Sequence, residues 1–303
     1  MKIKTENVSG KVKGLADNIG KLSVNVSNKA INAVDKSQEA IINAIDQNGN
    51  GEIDIEDIII MGLKTPGVRI NRREFLHKEL FKKYPEDMIE KAIEHNPAYA
   101  GISVDEIDQI ADEVIKFERN CVSGISAALG MPGGAAMVAT IPADIAQYYG
   151  YMLRATQKLL YLYGFPEIDT EEKGQKFDSE TMNILIICLG VMYGAAGANN
   201  AIKAMAKALA TGVEKKLINA ALTKGTIYPI VKNVASWFGK KMTKDIFAGF
   251  FKKAIPVVGG VIGGGITFVS FKPCCDKLKE SLQNTMLSNP NYVETDADEI
   301  IIE

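Results

Sequence analysis

Three long apolar stretches dominate the hydrophobic pattern of this chain. They cover Cys121–Ala143, Thr181–Ile202 and Phe251–Phe271, and the third is uncharged between Lys253 and Lys272. All three are rich in small residues. Glycine costs roughly 1 kcal/mol relative to alanine inside a helix, so a Gly-rich helix is typical of close packing against other helices. No convincing strand alternation occurs. The pattern predicts an all-α fold with a Gly/Ala-rich, closely packed helical core.

The first part of the chain shows amphipathic patterns. Residues 8–26 carry an apolar heptad stripe with lysines on the other faces, and Lys29–Ile45 has a second apolar face. The stripe has two interpretations. It packs on the protein's own core, or it is an interfacial helix whose lysines face anionic lipid. The stripe consists of Val8, Val12, Leu15, Ile19, Leu22 and Val26.

Turn and capping residues divide the chain further. Ser103 and Glu106 form a predicted capping box for a helix that ends near Asn120. Pro142 is predicted to open a long helix, since proline suits a first turn. Further helices are predicted over 203–224 and 276–287. The expected segments are an amphipathic 1–28, a helix-loop-helix at 29–64, a helical connector at 65–119, the core at 120–288 and an acidic tail at 289–303.

A 12-residue segment, DQNGNGEIDIED, lies between two helical patterns at residues 46–57. Its oxygen donors and its glycine at position 6 have the spacing of an EF-hand loop, which binds Ca²⁺. Position 12 is usually Glu, and the shorter Asp here suits a six-coordinate ion such as Mg²⁺ as well. The predicted metal ligands are Asp46, Asn48, Asn50, Glu52 through its carbonyl, Asp54 through water, and Asp57.

Two observations leave an alternative to metal binding. The loop is single, although EF-hands usually occur in pairs, and Asn48 and Asn50 lower its charge. The alternative is an Asn/Gly/Asp-rich turn that holds no metal. Ca²⁺ is the first expectation and Mg²⁺ the second.

Composition and charge argue against a nucleic-acid-binding protein. The net charge is −2, with 47% hydrophobic and 24% charged residues, and no nucleic-acid-binding motif occurs. The four cysteines show no CxxC spacing, which indicates reduced, buried thiols. The first residues, MKIKTENVSG, contain no apolar signal segment, so we expect a cytoplasmic location.

Candidate catalytic residues are few. The two histidines, His77 and His95, lie in charged amphipathic helices, where surface or helix-end roles are expected. Asp144 and Arg154 lie on one predicted helix, roughly 15 Å apart at 1.5 Å per residue, and so cannot pair with each other. A structural ion pair with a residue such as Lys158, or with another helix, is favoured over catalysis.

Two segments carry a family resemblance, GMPGGAAMVATIPADIAQYYGYMLRATQKLLYLYGFPEID at 130–169 and KAIPVVGGVIGGGITFVSF at 253–271. Through them, residues 120–285 resemble the EcsC family. The resemblance implies a bacterial protein linked to transport or secretion, and it supplies no catalytic residues.

Together these observations favour a non-enzymatic, calcium-binding accessory protein that associates with membrane lipid or a membrane protein. The apolar stretches fit either a buried core or membrane insertion, permanent or conditional on cation binding. A soluble carrier of a lipid or another hydrophobic ligand, and an enzyme that uses Asp144 and Arg154, are the alternatives. The sequence leaves the oligomeric state open.

Overall fold

The computed structural model of this protein describes residues 43–47, 49, 53–129, 135–169, 179–239, 259–289 and 291–292. These residues fold into helices and connecting turns without a strand, which confirms the all-α class. The predicted stripe over 8–26, most of the second amphipathic segment, the residues before 259 in the third apolar stretch and the end of the acidic tail lie outside this part of the chain.

Where the structure describes all the residues between two helices, the connection is short. In chain order the helices are α1 Ile55–Leu63, α2 Arg72–Leu80, α3 Glu86–Glu94, α4 Val104–Leu129, α5 Ala135–Leu162, α6 Ser179–Tyr193, α7 Ala198–Ala210, α8 Lys215–Thr223, α9 at 228–239 and α10 Gly259–Gln283.

The three longest helices, α4, α5 and α10, pack side by side. Tyr163 donates to Asp108 and Arg154 pairs with Glu118, so α4 and α5 run antiparallel. Lys279 pairs with Asp112 at 2.8 Å, and the guanidinium of Arg119 lies over the ring of Phe268, so α10 is also antiparallel to α4. The contact of α10 with α4 is the most extensive between any two described helices.

Helix α6 forms the centre of the other half of the core. Eleven of its residues, from Thr181 to Met192, are buried, because α1, α5, α7, α8 and α10 pack around it. A side chain at Gly190 would come within 2.7 Å of Val234 in α9 and 3.0 Å of Ala198 in α7. The small residue in this apolar stretch therefore permits close helix packing, as the sequence predicts.

Several predicted helix boundaries are wrong. Helix α4 continues to Leu129 instead of ending near Asn120, and α5 begins at Ala135, so that Pro142 lies inside it. Pro273 likewise lies inside α10, where the sequence predicts a separate helix over 276–287. A proline removes one backbone hydrogen bond, and packing on neighbouring helices can outweigh that loss.

Glycines also end helices within two of the predicted stretches. The apolar stretch over 181–202 is divided at Gly194 and Gly197, which have φ of 77° and 82°. The predicted helix over 203–224 is divided in the same way at Gly212, with φ of 76°. Residues with a side chain rarely adopt this left-handed conformation, so glycine sets these helix ends.

Helix α1 packs on α5 through two glycines. A side chain at Gly62 would come within 3.2 Å of the backbone nitrogen of Gly150, within 3.3 Å of the carbonyl carbon of Tyr149, and within 2.8 Å of the Leu153 Cδ1 atom. The two helices therefore meet almost backbone to backbone at this crossing.

We expect Gly62→Ala to lower the free energy of unfolding by about 1–3 kcal/mol, because the added methyl group forces α1 and α5 apart. Gly124→Ala in α4 is the matched control, since no atom lies within 4 Å of the new Cβ. Because alanine has a higher helix propensity than glycine, Gly124→Ala should raise stability by up to about 1 kcal/mol. Urea unfolding of both variants measures the difference, and equal effects would contradict the close crossing.

Candidate functional site

The predicted metal loop begins in a tight turn at Asp46. The Asp46 Oδ1 atom accepts a hydrogen bond of 2.7 Å from the backbone N–H of Gly49, whose φ is 72°. An aspartate that caps its own turn in this way is typical of loops rich in Asn, Asp and Gly. Three of the six predicted ligands, Asn48, Asn50 and Glu52, lie outside the described residues.

Asp57, the last predicted ligand, is fully buried. Its Oδ1 atom accepts from the backbone N–H of Gln47 at 2.9 Å, and its Oδ2 atom accepts from that of Asp54 at 3.0 Å. Asp54 in turn accepts from the backbone N–H groups of Glu56 and Asp57, and so caps α1. The carboxylate of Asp57 thus joins the start of the loop to the helix that leaves it, in a reciprocal capping box.

The carboxylates around the start of α1 affect the pKa of Glu56. Burial, followed by the negative charges of Asp54 and Asp57, raises the pKa of Glu56. Glu56 thus keeps its proton to a higher pH in the folded protein than in the unfolded chain. Its contribution to stability therefore falls as the pH rises through this raised pKa. A cation bound in the loop would act in the opposite direction, because it stabilises the charged carboxylates.

The donor chemistry fits a hard cation, since every predicted ligand offers oxygen. Among the described residues, however, no three His, Cys, Asp or Glu side chains already converge on one point. Both oxygens of Asp57 face backbone N–H groups. Metal binding therefore stays a prediction from the loop's spacing.

The segment after α1 fixes the loop to the core. The Thr65 hydroxyl donates to the Ala146 carbonyl of α5 at 3.3 Å. Gln157, buried in α5, donates to the Val68 carbonyl at 2.9 Å and accepts from the Ile70 N–H at 3.1 Å. Helix α1 is consequently held against α5 both by its own crossing and by the segment that follows it.

A buried ion cluster lies next to this segment. Glu118 in α4 has a side chain that is 0% exposed, and it pairs with Arg154 at 3.0 Å and with Lys158 at 2.5 Å, both from α5. Arg154 also donates to the Gly67 carbonyl. The expectation that Arg154 pairs with another helix is confirmed, and the partner is an acid that sequence reasoning did not single out.

Among the candidate catalytic groups, the structure describes the surroundings of Arg154, of both histidines and of the cysteines. Arg154 is held in the cluster by two acceptors, and the side chain of Asp144 lies outside the described residues. His77 is exposed and lies 3.2 Å from Glu86, while His95 caps the end of α3, as expected. All four cysteines are free thiols, and burial raises the pKa of Cys188, Cys274 and Cys275.

Arg72 is a second buried residue that sequence reasoning missed. Its guanidinium donates to the carbonyls of Ile93 at 2.6 Å, His95 at 3.0 Å and Phe165 at 3.1 Å. It therefore satisfies the carbonyl groups at the end of α3 and joins them to the segment after α5. Burial lowers its pKa. Nothing in the sequence distinguishes it from the neighbouring Arg73, which is exposed.

Comparison with protein-family models, with curated proteins and with solved structures finds no match to this chain. The similarity to the EcsC family therefore stays a prediction from the residues that carry it. Within the described part of the chain, every helix is too short or too polar to cross a membrane.

Proposed function

We propose that this protein is a non-enzymatic, Ca²⁺-binding accessory protein that associates peripherally with a membrane. The observation that supports this most is the position of Asp57, the twelfth residue of the predicted loop. Its buried carboxylate lies between the backbone of Gln47 at the loop's start and that of Asp54 at the start of α1. In an EF-hand the same position supplies the carboxylate that closes the metal site.

In this proposal the cation takes side-chain oxygens from Asp46, Asn48 and Asn50, the carbonyl of Glu52, a water held by Asp54, and Asp57. A carboxylate has about four lone-pair sites. Asp57 can therefore contact a cation while it retains part of its hydrogen bonding to the backbone. The shorter side chain favours contact through one oxygen, which keeps Mg²⁺ as the second candidate.

The attachment of α1 to α5 indicates which residues next to the loop would change position when the cation binds. Helix α1 is fixed to α5 at Gly62 and by the hydrogen bonds of Thr65 and Gln157. Cation binding would therefore act mainly on the residues before the loop. These include the predicted lysine-bearing amphipathic helix over 8–26, whose proposed partner is anionic lipid.

The non-enzymatic part of this proposal is supported by Arg154, one of the two residues considered for catalysis. The buried acid Glu118 is fully engaged by Arg154 and Lys158. Arg154 is in turn committed to Glu118 and Gly67, so it is not available to a substrate. The thiols whose pKa is raised are protonated at neutral pH and are poor nucleophiles.

We expect calorimetric titration to show one Ca²⁺ site per chain with a dissociation constant of about 10⁻⁵ to 10⁻³ M. Asp46→Ala should weaken binding at least about tenfold, because one charged ligand is lost. The matched control is Asp87→Ala, which removes an exposed acid from α3. Equal binding by both variants, or no heat with the unmodified protein, would contradict the proposed site.

Membrane association is tested separately with vesicles that contain anionic lipid. Co-sedimentation should increase with Ca²⁺, and Asp46→Ala should remove the increase. Sedimentation that is unchanged by Ca²⁺ and by the substitution would overturn the coupling, although calorimetry could still show cation binding.

A further inference from the structure

The end of α4 and the starts of α5 and α10 lie at the same end of the helical bundle, because α5 and α10 both run antiparallel to α4. The guanidinium of Arg119 in α4 lies 4.0 Å from the ring centre of Phe268 in α10. The Tyr148 hydroxyl in α5 shares a hydrogen bond of 3.2 Å with that of Ser270 in α10. These four residues mark one level of the bundle, and the three helix ends extend beyond it.

The three helix ends contain one charged residue beyond this level, Asp144 in α5. No residue is charged over 120–143, which includes the connection GMPGG at 130–134, or over 259–271. The residues that lead into α10, 240–258, lie outside the described part of the chain and contain five lysines and one aspartate. The sequence therefore gives this end of the bundle an uncharged surface, reached by a basic stretch of chain.

Exposed apolar side chains lie around the bundle near the level of Arg119. Phe117 is 57% exposed on α4, and Phe268 and Val269 are 44% and 71% exposed on α10. Lys116, which precedes Phe117, is exposed as well. Aromatic rings and long basic side chains are typical of the boundary between a membrane and water, where the ring enters the apolar layer and the cation stays at the lipid head groups. The side chains at this level have that combination.

The length of the helix ends fits one leaflet of a bilayer. At 1.5 Å per residue, they extend about 14–20 Å beyond the level of Arg119 and Tyr148. Asp144 lies about 6 Å beyond Tyr148 along α5, which corresponds to the thickness of the head-group layer. At most about 14 Å of helix follows Asp144 toward Ala135, and half of the hydrocarbon core is about 15 Å thick. The uncharged ends can therefore enter one leaflet while Asp144 stays among the head groups.

We propose that this end of the bundle is the surface through which the protein contacts a membrane, and that it enters one leaflet of an anionic bilayer with Phe117, Phe268 and Val269 at the boundary. The inference rests on the proposed membrane association, and it assigns that association a surface in addition to the predicted helix over 8–26. The uncharged ends supply the insertion. Lys116 and the lysines of 240–258 supply the attraction to anionic lipid, so the charge of the approaching chain has the sign that this partner requires.

The first experiment measures co-sedimentation of the full chain, with Ca²⁺ present, on phosphatidylcholine vesicles that contain phosphatidylserine. Val269→Glu should lower the vesicle partition constant at least about tenfold, because a carboxylate resists entry into hydrocarbon and is repelled by anionic lipid. Leu217→Glu makes a similar change on α8, at a residue that is 42% exposed, and should leave partition unchanged. Equal partition of the two variants would overturn this surface and leave the proposed membrane association standing. Absence of sedimentation by the unmodified protein would overturn both.

The second experiment measures insertion with tryptophan fluorescence. Trp237, the single tryptophan, is replaced by Phe, and Val269→Trp or Leu217→Trp then introduces a probe. Vesicles should shift the emission of Val269→Trp to shorter wavelength, and lipid brominated on its acyl chains should quench it, because the ring lies at the edge of the hydrocarbon. Leu217→Trp should show neither change. Emission of Val269→Trp that is already at short wavelength without vesicles, and is not quenched by brominated lipid, would show that residues 240–258 or a second copy of the chain cover this end, and would overturn the proposal.

Discussion

Replacing Glu118 with Gln is expected to lower the free energy of unfolding by about 3–5 kcal/mol. The acid is 0% exposed, and its partners Arg154 and Lys158 are only 21% and 11% exposed at their side chains. Without the carboxylate, two buried cations face each other and lose their charged acceptor. Breaking a buried ion cluster from one side costs more than the cluster contributes as a whole, because the remaining charges stay desolvated.

Chemical denaturation measures this effect, and Glu113→Gln in the same helix is the matched control. Glu113 is exposed, so its replacement should change stability by less than about 0.5 kcal/mol. Replacing Glu118, Arg154 and Lys158 together with Leu, Met and Met should restore most of the loss, because no buried charge then remains. If Glu118→Gln were as mild as Glu113→Gln, the three charges would not form a buried cluster in solution.

The second large effect is expected at Arg72. Arg72→Ala removes the donors of three short hydrogen bonds to the carbonyls of Ile93, His95 and Phe165. These buried acceptors would be left without partners, at about 1–3 kcal/mol for each. Since part of that cost can be recovered by water that enters the space, we expect a total loss of about 3–5 kcal/mol. Arg72→Lys should recover little, because an ammonium group cannot reach three diverging carbonyls.

Arg73 provides the control at the next position of the same helix. Its guanidinium pairs with Glu90 at 2.7 Å, but the side chain is 62% exposed. Surface ion pairs contribute little, so Arg73→Ala should cost less than about 1 kcal/mol. Hydrogen exchange at the end of α3 gives a second measurement. The amides there should exchange faster in Arg72→Ala and not in Arg73→Ala. Similar exchange in both variants would argue against the cap.

The features that could be predicted from the sequence are those set by local patterns. The capping box of Ser103 and Glu106 is present, with the Ser103 N–H donating to Glu106 at 3.1 Å. Gly164 follows the end of α5 with φ of 95°, and glycine is a common local signal for a helix end. Both depend on residues within a few positions of each other, so a single sequence contains all the information needed.

The features that could not be predicted depend on contacts between distant positions. Proline usually marks a helix boundary, and Pro142 is predicted to open a helix, yet Pro142 and Pro273 both lie inside helices that pack on neighbours. The partner of Arg154 is 36 residues away, and the three acceptors of Arg72 lie between 21 and 93 residues away. Hydrophobic period and turn chemistry contain no information on such pairings, which tertiary packing decides.

The candidate sites show the same division. The metal loop is recognised from spacing alone, since its ligands lie within 12 consecutive positions. The hydrogen bonds that tie Asp57 to Gln47 and Asp54 are visible only in the structure. An aliphatic cavity between the end of α5, the start of α6, α7 and α8 has no sequence signature, because its walls come from distant segments and resemble any other buried aliphatic residues.

Helix α4 packs against α5 and against α10, each antiparallel to it, and this arrangement affects the order in which the core forms during synthesis. Helices α4 and α5 are adjacent in sequence and can pair as soon as both have left the ribosome. Their partner α10 begins at Gly259, about 100 residues after α5 ends. Synthesis adds about 5–20 residues per second, so the apolar faces of α4 and α5 that α10 covers stay exposed for roughly 5–20 s. We therefore expect a chaperone that binds apolar helices to act on the nascent protein in this period, at the faces of α4 and α5 that α10 later covers.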